Sequence, residues 1–251
     1  MSIAVEMVMA DDCISRDQLF DGRIQCLQPR QGYRFTEDAV LLAHFIAPQP
    51  GDRLLDLGAG CGIISLILAY RWPDITITAL EIQPNLADLA RRNAADNHLA
   101  ERLRVIAGDL RQSQDLLAAG SFDWVVCNPP YHQLAAGRLN PQDEQAAARH
   151  EIHADLAAVL MAACYALGKN GRLALVYPAA RAASLMQGMK NSGLEPKRLR
   201  MVHSHPGAPG RLVLVEAACM AGEELTVLPP LFVAETPGGL YSTAMARCYE
   251  P

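Results

Sequence analysis

Apolar and polar positions follow two different rhythms along the middle of the chain. Short leucine-rich or β-branched runs read as strands: RLLDL at 53–57, ITITALE at 75–81, RLRVIAG at roughly 103–107, FDWVVC at 122–127 and GRLALVY at 171–177. Segments of helical period lie between them: CGIISLILAYR at 61–71, PNLADLARRNAADN at 84–97, and stretches at about 112–118 and 152–167. Pro84 in the first turn of the second of these suits a helix start. Repeated strand–helix alternation predicts a parallel sheet with helices on both faces. After Tyr177 another helix is expected over 179–191, closed by Gly193, followed by two strand-like runs, LRMVHS and RLVLVEA. The HPGAPG link between those runs is too short for a crossover, so the sheet should end in an antiparallel hairpin. Ahead of the core, residues 20–35 read as a short β element and TEDAVLLAHFI (36–46) as a helix with a Thr cap. The final stretch reads as extended segments around a Pro237-Gly238-Gly239 turn. The expected organisation is one domain over 1–251, with an N-terminal segment at 20–47, a core at 48–217 and a C-terminal extension at 218–251.

Composition narrows the partners. A chain of 251 residues with 51% hydrophobic and 20% charged residues suits one well-buried α/β domain. No apolar run approaches the ~20 residues of a membrane helix. The N-terminus lacks a basic region and its apolar stretch is broken by Glu6. A cytoplasmic protein with no membrane partner is therefore expected. Seven cysteines without a CxxC pair point to reduced thiols. His150-x-x-His153 and His203-x-His205 lack a third ligand, so no metal is expected. The net charge of −5 argues against an indiscriminate nucleic-acid binder. One run departs from that balance. Residues 190–211 hold Lys190, Lys197, Arg198, Arg200 and Arg211 against a single Glu195. That run is either a local basic surface or a solvated strand edge.

Candidate chemistry gathers at strand ends. DLGAGCG (56–62) sits where the first core strand becomes a helix, and its glycines allow a sharp turn and close ligand approach. Gly58, Gly60 and Gly62 are spaced GxGxG, with Ile63 where a dinucleotide fingerprint needs glycine, which disfavours NAD. A P-loop is excluded by the missing lysine. Glu81 closes the second strand, where a carboxylate can accept from both hydroxyls of a ribose. Asp109 follows the third, within reach of an adenine amino group. VVCNPPYH (125–132) ends the fourth in two prolines that cannot extend a ladder, between the amide of Asn128 and the ring of Tyr131. Cys127 points to the opposite face from Asn128 and reads as a core thiol. The next segment, HQLAAGRLNPQDEQAAARHE, is long enough for a substrate lid, with Arg149 a candidate phosphate contact.

In this order, the acids and the glycine turn resemble the S-adenosylmethionine-dependent methyltransferases built on a seven-stranded, Rossmann-like sheet, mostly parallel, over about residues 30–217. The resemblance implies that Asp56, Gly58, Ala59, Gly60 and Gly62 serve the methionine part of the cofactor, Glu81 the ribose and Asp109 the adenine. Ile82, Leu110 and Asn128 complete the cofactor-binding set. NPPY looks like the [DN]PP[FYW] motif of enzymes that methylate planar nitrogens. The Asn128 side-chain oxygen and the Pro129 carbonyl would then grip an amine whose lone pair is delocalised, and favour the pyramidal nitrogen of the transition state. Pro130 stiffens that carbonyl, and Tyr131 offers a stacking face to an extruded base.

LQPRQGYRFTEDAVLLAHF (27–45), ARHE and the ending LPPLFV…GGLYSTAM resemble the bacterial family that methylates N6 of adenosine 37 in a valine tRNA. It implies that Tyr33, Thr36 and Asp38 fold over the cofactor, and that Lys197, Arg198, Arg200, Arg211 and Arg149 carry the tRNA. Cys61 departs from the Thr commoner in that family's turn. S-adenosylhomocysteine would be the product, and the protein a monomer or weak homodimer. Alternatives sharing the motif are a protein glutamine N5-methyltransferase and an rRNA guanine N2-methyltransferase. A cofactor-binding scaffold without catalysis is the non-enzymatic one.

Overall fold

The computed structural model describes residues 13–32, 34–129 and 156–250. It opens with an antiparallel hairpin, β1 (Ile14–Leu19) and β2 (Ile24–Pro29), so the expected β element begins earlier than residue 20. Helix α1 (Glu37–Phe45) follows. Thr36 occupies its N-cap with extended backbone, but the side chain makes no capping bond. Glu37 and Asp38 instead place negative charge on the helix's positive end.

The core then runs β3 (Arg53–Leu57), α2 (Ile63–Arg71), β4 (Thr76–Glu81), α3 (Pro84–Asp96), β5 (Leu103–Ala107), the short α4 (Ser113–Leu116) and β6 (Phe122–Cys127). Helix α5 (Leu156–Ala166) leads into β7 (Leu167–Pro178), and α6 (Ala182–Asn191) into the hairpin β8 (Leu194–His203) and β9 (Gly210–Cys219). Two-residue strands β10 (Thr226–Val227) and β11 (Leu231–Phe232) and the short α7 (Thr243–Ala246) complete the chain. The sheet order is β10-β8-β9-β7-β6-β3-β4-β5, with β11 also on β8. Only β9 runs against its long neighbours, so the expected reversed hairpin is present and β8 is again parallel to β6. Pro229 and Pro230 keep β10 and β11 short, since neither can donate to a ladder.

Strict alternation sorts the strands between two apolar layers. Leu54, Trp124, Val126, Ala174 and Val176 join the core under α1, α2 and α3. Leu55, Leu57, Val125, Cys127, Leu173 and Leu175 join the other, under α5 and α6. Cys127 is thus a buried core thiol on the face away from Asn128. No helix among the described residues is long and apolar enough to cross a membrane.

The N-terminal hairpin is fastened to the outside of α3 by two asparagines. Asn93 Oδ1 accepts from the Leu27 amide (2.7 Å) and its Nδ2 donates to the Leu27 carbonyl (2.9 Å). Asn97 treats Gln25 in the same way, at 2.9 and 2.7 Å. Four residues of helix rise ~6 Å and two residues of strand ~6.8 Å, so i,i+4 on α3 matches i,i+2 on β2. Asn93 also donates to the Cys61 carbonyl (2.8 Å), inside the glycine turn. Asn93→Ala would strand these backbone groups in a buried place. A loss of about 3 kcal/mol is expected in urea unfolding, against a smaller loss for the half-buried Asn97→Ala.

Candidate active site

The turn from β3 into α2 bends through three left-handed glycines, Gly58 (φ 72°), Gly60 (φ 59°) and Gly62 (φ 86°). Side chains rarely adopt such backbone, so the glycines are required by geometry. Gly62 has a second reason, since a Cβ there would lie 3.2 Å from that of Ala90 on α3. Beside Gly58 the space is open, with no atom of the described residues within 4 Å of where a Cβ would be. The turn is held from the neighbouring strand. The amides of Gly58 and Ala59 donate to the Leu80 carbonyl at 2.8 and 3.1 Å. The Gly60 amide donates to Glu81 Oε2 at 2.8 Å, and Glu81 Oε1 accepts from the Gln83 amide at 2.8 Å.

Register brings the strand ends level. Leu57 pairs with Leu80 on one side and Cys127 on the other. The next residues, Gly58, Glu81 and Asn128, therefore leave three adjacent parallel strands in one row. Asn128 is half-buried there and Pro129 is buried. Asp109 lies two residues beyond Ala107, the partner of Glu81. It caps the turn at Leu110–Gln112, accepting from the Arg111 amide at 2.9 Å and pairing with that arginine's guanidinium. Leu110 is buried and Ile82 half-buried behind these acids. At the head of α1, Asp38 and Glu37 are both paired with Arg211, which ties β9 to that helix. Tyr33, Pro130, Tyr131 and Arg149 lie outside the described residues.

Asp56, inside the row, is fully buried. Its Oδ2 accepts from the Ser65 hydroxyl at 2.7 Å, while Oδ1 has no hydrogen-bond partner among the described residues. Burial pushes its pKa up to about 7, against the opposing pull of Ser65. Burial also raises Glu81, offset in part by the Gln83 and Gly60 amides. Ser65 and Asn93 are supporting residues that the sequence reading passed over. Each leaves a signal: Ser65 is the polar residue in the apolar run IISLILA, and Asn93 falls on the buried face of α3.

The structure gives the basic run other partners. Lys197 donates to the carbonyls of Gly222 and Glu223. Arg198 donates to the Phe45 carbonyl at 2.6 Å, lies 4.8 Å from that ring, and faces the buried Glu216 at 3.3 Å. Arg172 also pairs with Glu216. A cavity of about 350 Å³ lies here, lined in part by Asp52, Asp123, Trp124, Arg172, Arg198 and Glu216. Asp52 and Asp123 stand at the beginnings of β3 and β6, so this cluster is at the opposite edge of the sheet from the glycine turn. Arg200 has its Nε buried without a hydrogen bond.

Residues 36–191 match the model of the methyltransferase small domain. A relative from Porphyromonas gingivalis strain W83, named tRNA1(Val) (adenine(37)-N6)-methyltransferase, is 30% identical over 87% of this chain and 88% of its own. The chain belongs to this methyltransferase family. A relative of the same name from Aeromonas hydrophila is 37% identical, covering 59% of this methyltransferase and 61% of itself. Among solved structures, a predicted O-methyltransferase from Agrobacterium tumefaciens superposes with a TM-score of 0.69 at 23% identity, covering 84% and 95% of the two chains. TrmN from Thermus thermophilus gives 0.54 at 21%, over 72% of this chain and 48% of its own. These likenesses carry the fold.

The raised carboxyls make the ligand-free methyltransferase sensitive to pH. Between the ordinary value of 3.8 and about 7, folded Asp56 keeps a proton that the unfolded chain releases. Stability from this group is therefore greatest at low pH, falls as pH rises toward 7, and levels off above it. Glu81 acts in the same direction. Asp56→Asn keeps an acceptor for Ser65 and removes the titration. It should flatten the decline between pH 5 and 8 by on the order of 3 kcal/mol, read from denaturant midpoints across that range.

Proposed function

We infer that this protein transfers the methyl group of S-adenosylmethionine to N6 of an adenosine in tRNA, at position 37 of a valine tRNA, releasing S-adenosylhomocysteine. The carrying observation is the single row formed by Gly58, Glu81 and Asn128. A nucleoside held on the turn and the carboxylate is thereby level with the two acceptors of the Asn-Pro-Pro segment. The names of the relatives supply the tRNA and the position. They favour this reading over a glutamine amide, which the same two acceptors would also fit. Action in the cytoplasm follows from that substrate.

The residues present fit the cofactor. Open space at Gly58 admits a ligand against the backbone. Glu81 accepts two amide bonds, and a carboxylate has about four acceptor positions, so both oxygens retain capacity for a ribose diol. The unpartnered Oδ1 of Asp56 suits an ammonium group nearby. Bound there, the cofactor supplies a methyl group already activated on a sulfonium.

The remaining work belongs to the chain. Asn128 and the Pro129 carbonyl accept from the two N–H bonds of the target amine, which localises its lone pair as the nitrogen becomes pyramidal. Proline at 129 and 130 fixes φ on either side of that carbonyl and limits its reorganisation. Cys127, buried on the opposite face with its thiol pushed well above the usual range by burial, takes no part as a nucleophile.

The test is single-turnover methylation of unmodified tRNA with the product nucleoside identified by mass spectrometry. N6-methyladenosine is expected. Asn128→Ala should slow transfer by about a hundredfold or more with S-adenosylhomocysteine affinity unchanged. Full activity in that variant would sink the mechanism.

A separate measurement concerns Glu81→Gln, which keeps one acceptor for a backbone amide but loses the charge. Calorimetry should show cofactor affinity lowered by about tenfold or more. Unchanged affinity would move the ribose elsewhere.

A further inference from the structure

We propose that the tRNA loop docks along the strand-end edge between Arg181 and the Tyr241 ring, with the guanidinium on phosphate and the ring stacked on a base. This surface rests on the tRNA reading above. It differs from the basic run, whose Lys197 and Arg198 serve the opposite edge of the sheet.

Arg181 ends the 3-10 turn Ala179–Arg181, which follows directly from β7. β7 is the neighbour of β6, with Leu175 opposite Cys127, so Arg181 stands one strand away from Asn128. It is exposed and has no ion pair among the described residues.

Tyr241 stands at the other end of the edge. β11 pairs with the last residues of β8, Leu231 with Val202 and Phe232 with His203. Because β8 is parallel to β6, the chain after β11 emerges on the active-site side. It turns at Glu235–Leu240 and returns as Tyr241, bridged to Ala234. The Ser242 amide donates to the Val233 carbonyl at 2.9 Å, and the Ser242 hydroxyl both donates to the Phe232 carbonyl and accepts from the Met245 amide. On this pinned turn Leu240 is 88% and Tyr241 49% exposed. One face of Tyr241 lies on Tyr249, with centroids 5.7 Å apart and planes within 7°. The ring is thus backed and held, with half its surface toward solvent.

A held, exposed aromatic beside an exposed apolar side chain is what stacking on an unpaired base requires, and single-stranded RNA loops present such bases. Acids around it outnumber cations, the exposed Glu250 among them, so stacking carries the contact at the ring and the phosphate contact falls to Arg181. Glu37 and Asp38 are paired with Arg211, Glu235 accepts from the Thr243 amide at 3.1 Å, and Arg247 beside Tyr249 is exposed. From β6 to β11 the sheet crosses four strand spacings, roughly 19 Å. Stacked nucleotides advance ~3.4 Å each, so a loop of a few nucleotides spans the distance.

The experiment measures binding of unmodified tRNA by the full-length chain over a range of salt, with S-adenosylhomocysteine affinity and thermal midpoint as fold controls. Tyr241→Ala should raise Kd about tenfold or more, whereas Tyr241→Phe should stay close to wild type. Arg181→Gln should lower the salt slope by about one, and Lys169→Gln, the same charge change at the far edge, should not. If both Tyr241→Ala and Arg181→Gln bind like wild type while the wild type methylates tRNA, the surface is wrong and the function stands. If the wild type methylates a protein glutamine and no tRNA, the function is wrong and the surface falls with it.

Discussion

The Glu81 carboxylate is the clasp on which the site depends. One oxygen takes the Gly60 amide and the other the Gln83 amide, so a single side chain joins the β3–α2 turn to the β4–α3 turn. Without it, three left-handed glycines within five residues would have many conformations to choose from. With it, the turn keeps one shape, and Gly58 stays level with the end of β6. Asn93 closes the same turn from behind through the Cys61 carbonyl and passes the constraint to the N-terminal hairpin. The hairpin thus braces the glycine turn.

That arrangement has an electrostatic cost. Glu81 and Asp56 are both buried, and Asp56 has one oxygen without a partner. Burial raises the pKa of both, the charge of Glu81 raises Asp56 further, and a positively charged ligand placed beside them would relieve that cost. On the proposed reading, the stability lost by crowding acids into this turn would be recovered when the cationic cofactor binds, which would link folding to occupancy through ordinary mass action.

The sheet and the residues at its strand ends were legible because each depends on residues close in sequence. Alternation gave the strands, and DLGAGCG, Glu81, Asp109 and Asn128 each sit at the end of one. What escaped depends on partners distant in the chain. β10 and β11 are two residues long and exist only because the edge of β8 is there to pair with them. Ser65 and Asn93 look like flaws in apolar helix faces until the groups they satisfy are seen. The basic run is divided in space for a geometric reason. A strand advances ~3.3 Å per residue, so charges adjacent in sequence travel the full width of the sheet. Lys197 and Arg198 lie near one edge and Arg211, across the hairpin, near the other. A cluster in sequence became three separate roles in space.

The net charge of −5 then ceases to conflict with an RNA substrate. Affinity for a polyanion depends on which charges it meets within about a Debye length, ~8–10 Å, and far less on the total. Several of this chain's acids are withdrawn from that reckoning. Glu216 is buried between two arginines at the far edge, Glu81 and Asp56 are buried in the turn, and Glu37, Asp38 and Asp109 are paired with arginines at the near one. Near the strand ends Arg181 has no carboxylate partner among the described residues, and Arg247 is exposed two residues before Tyr249, on which Tyr241 stacks. A modest field of this kind gives weak non-specific binding. On the proposed reading, selection of one adenosine would fall to stacking and to the two acceptors at Asn128 and Pro129, which would discriminate by shape and hydrogen bonding where charge cannot.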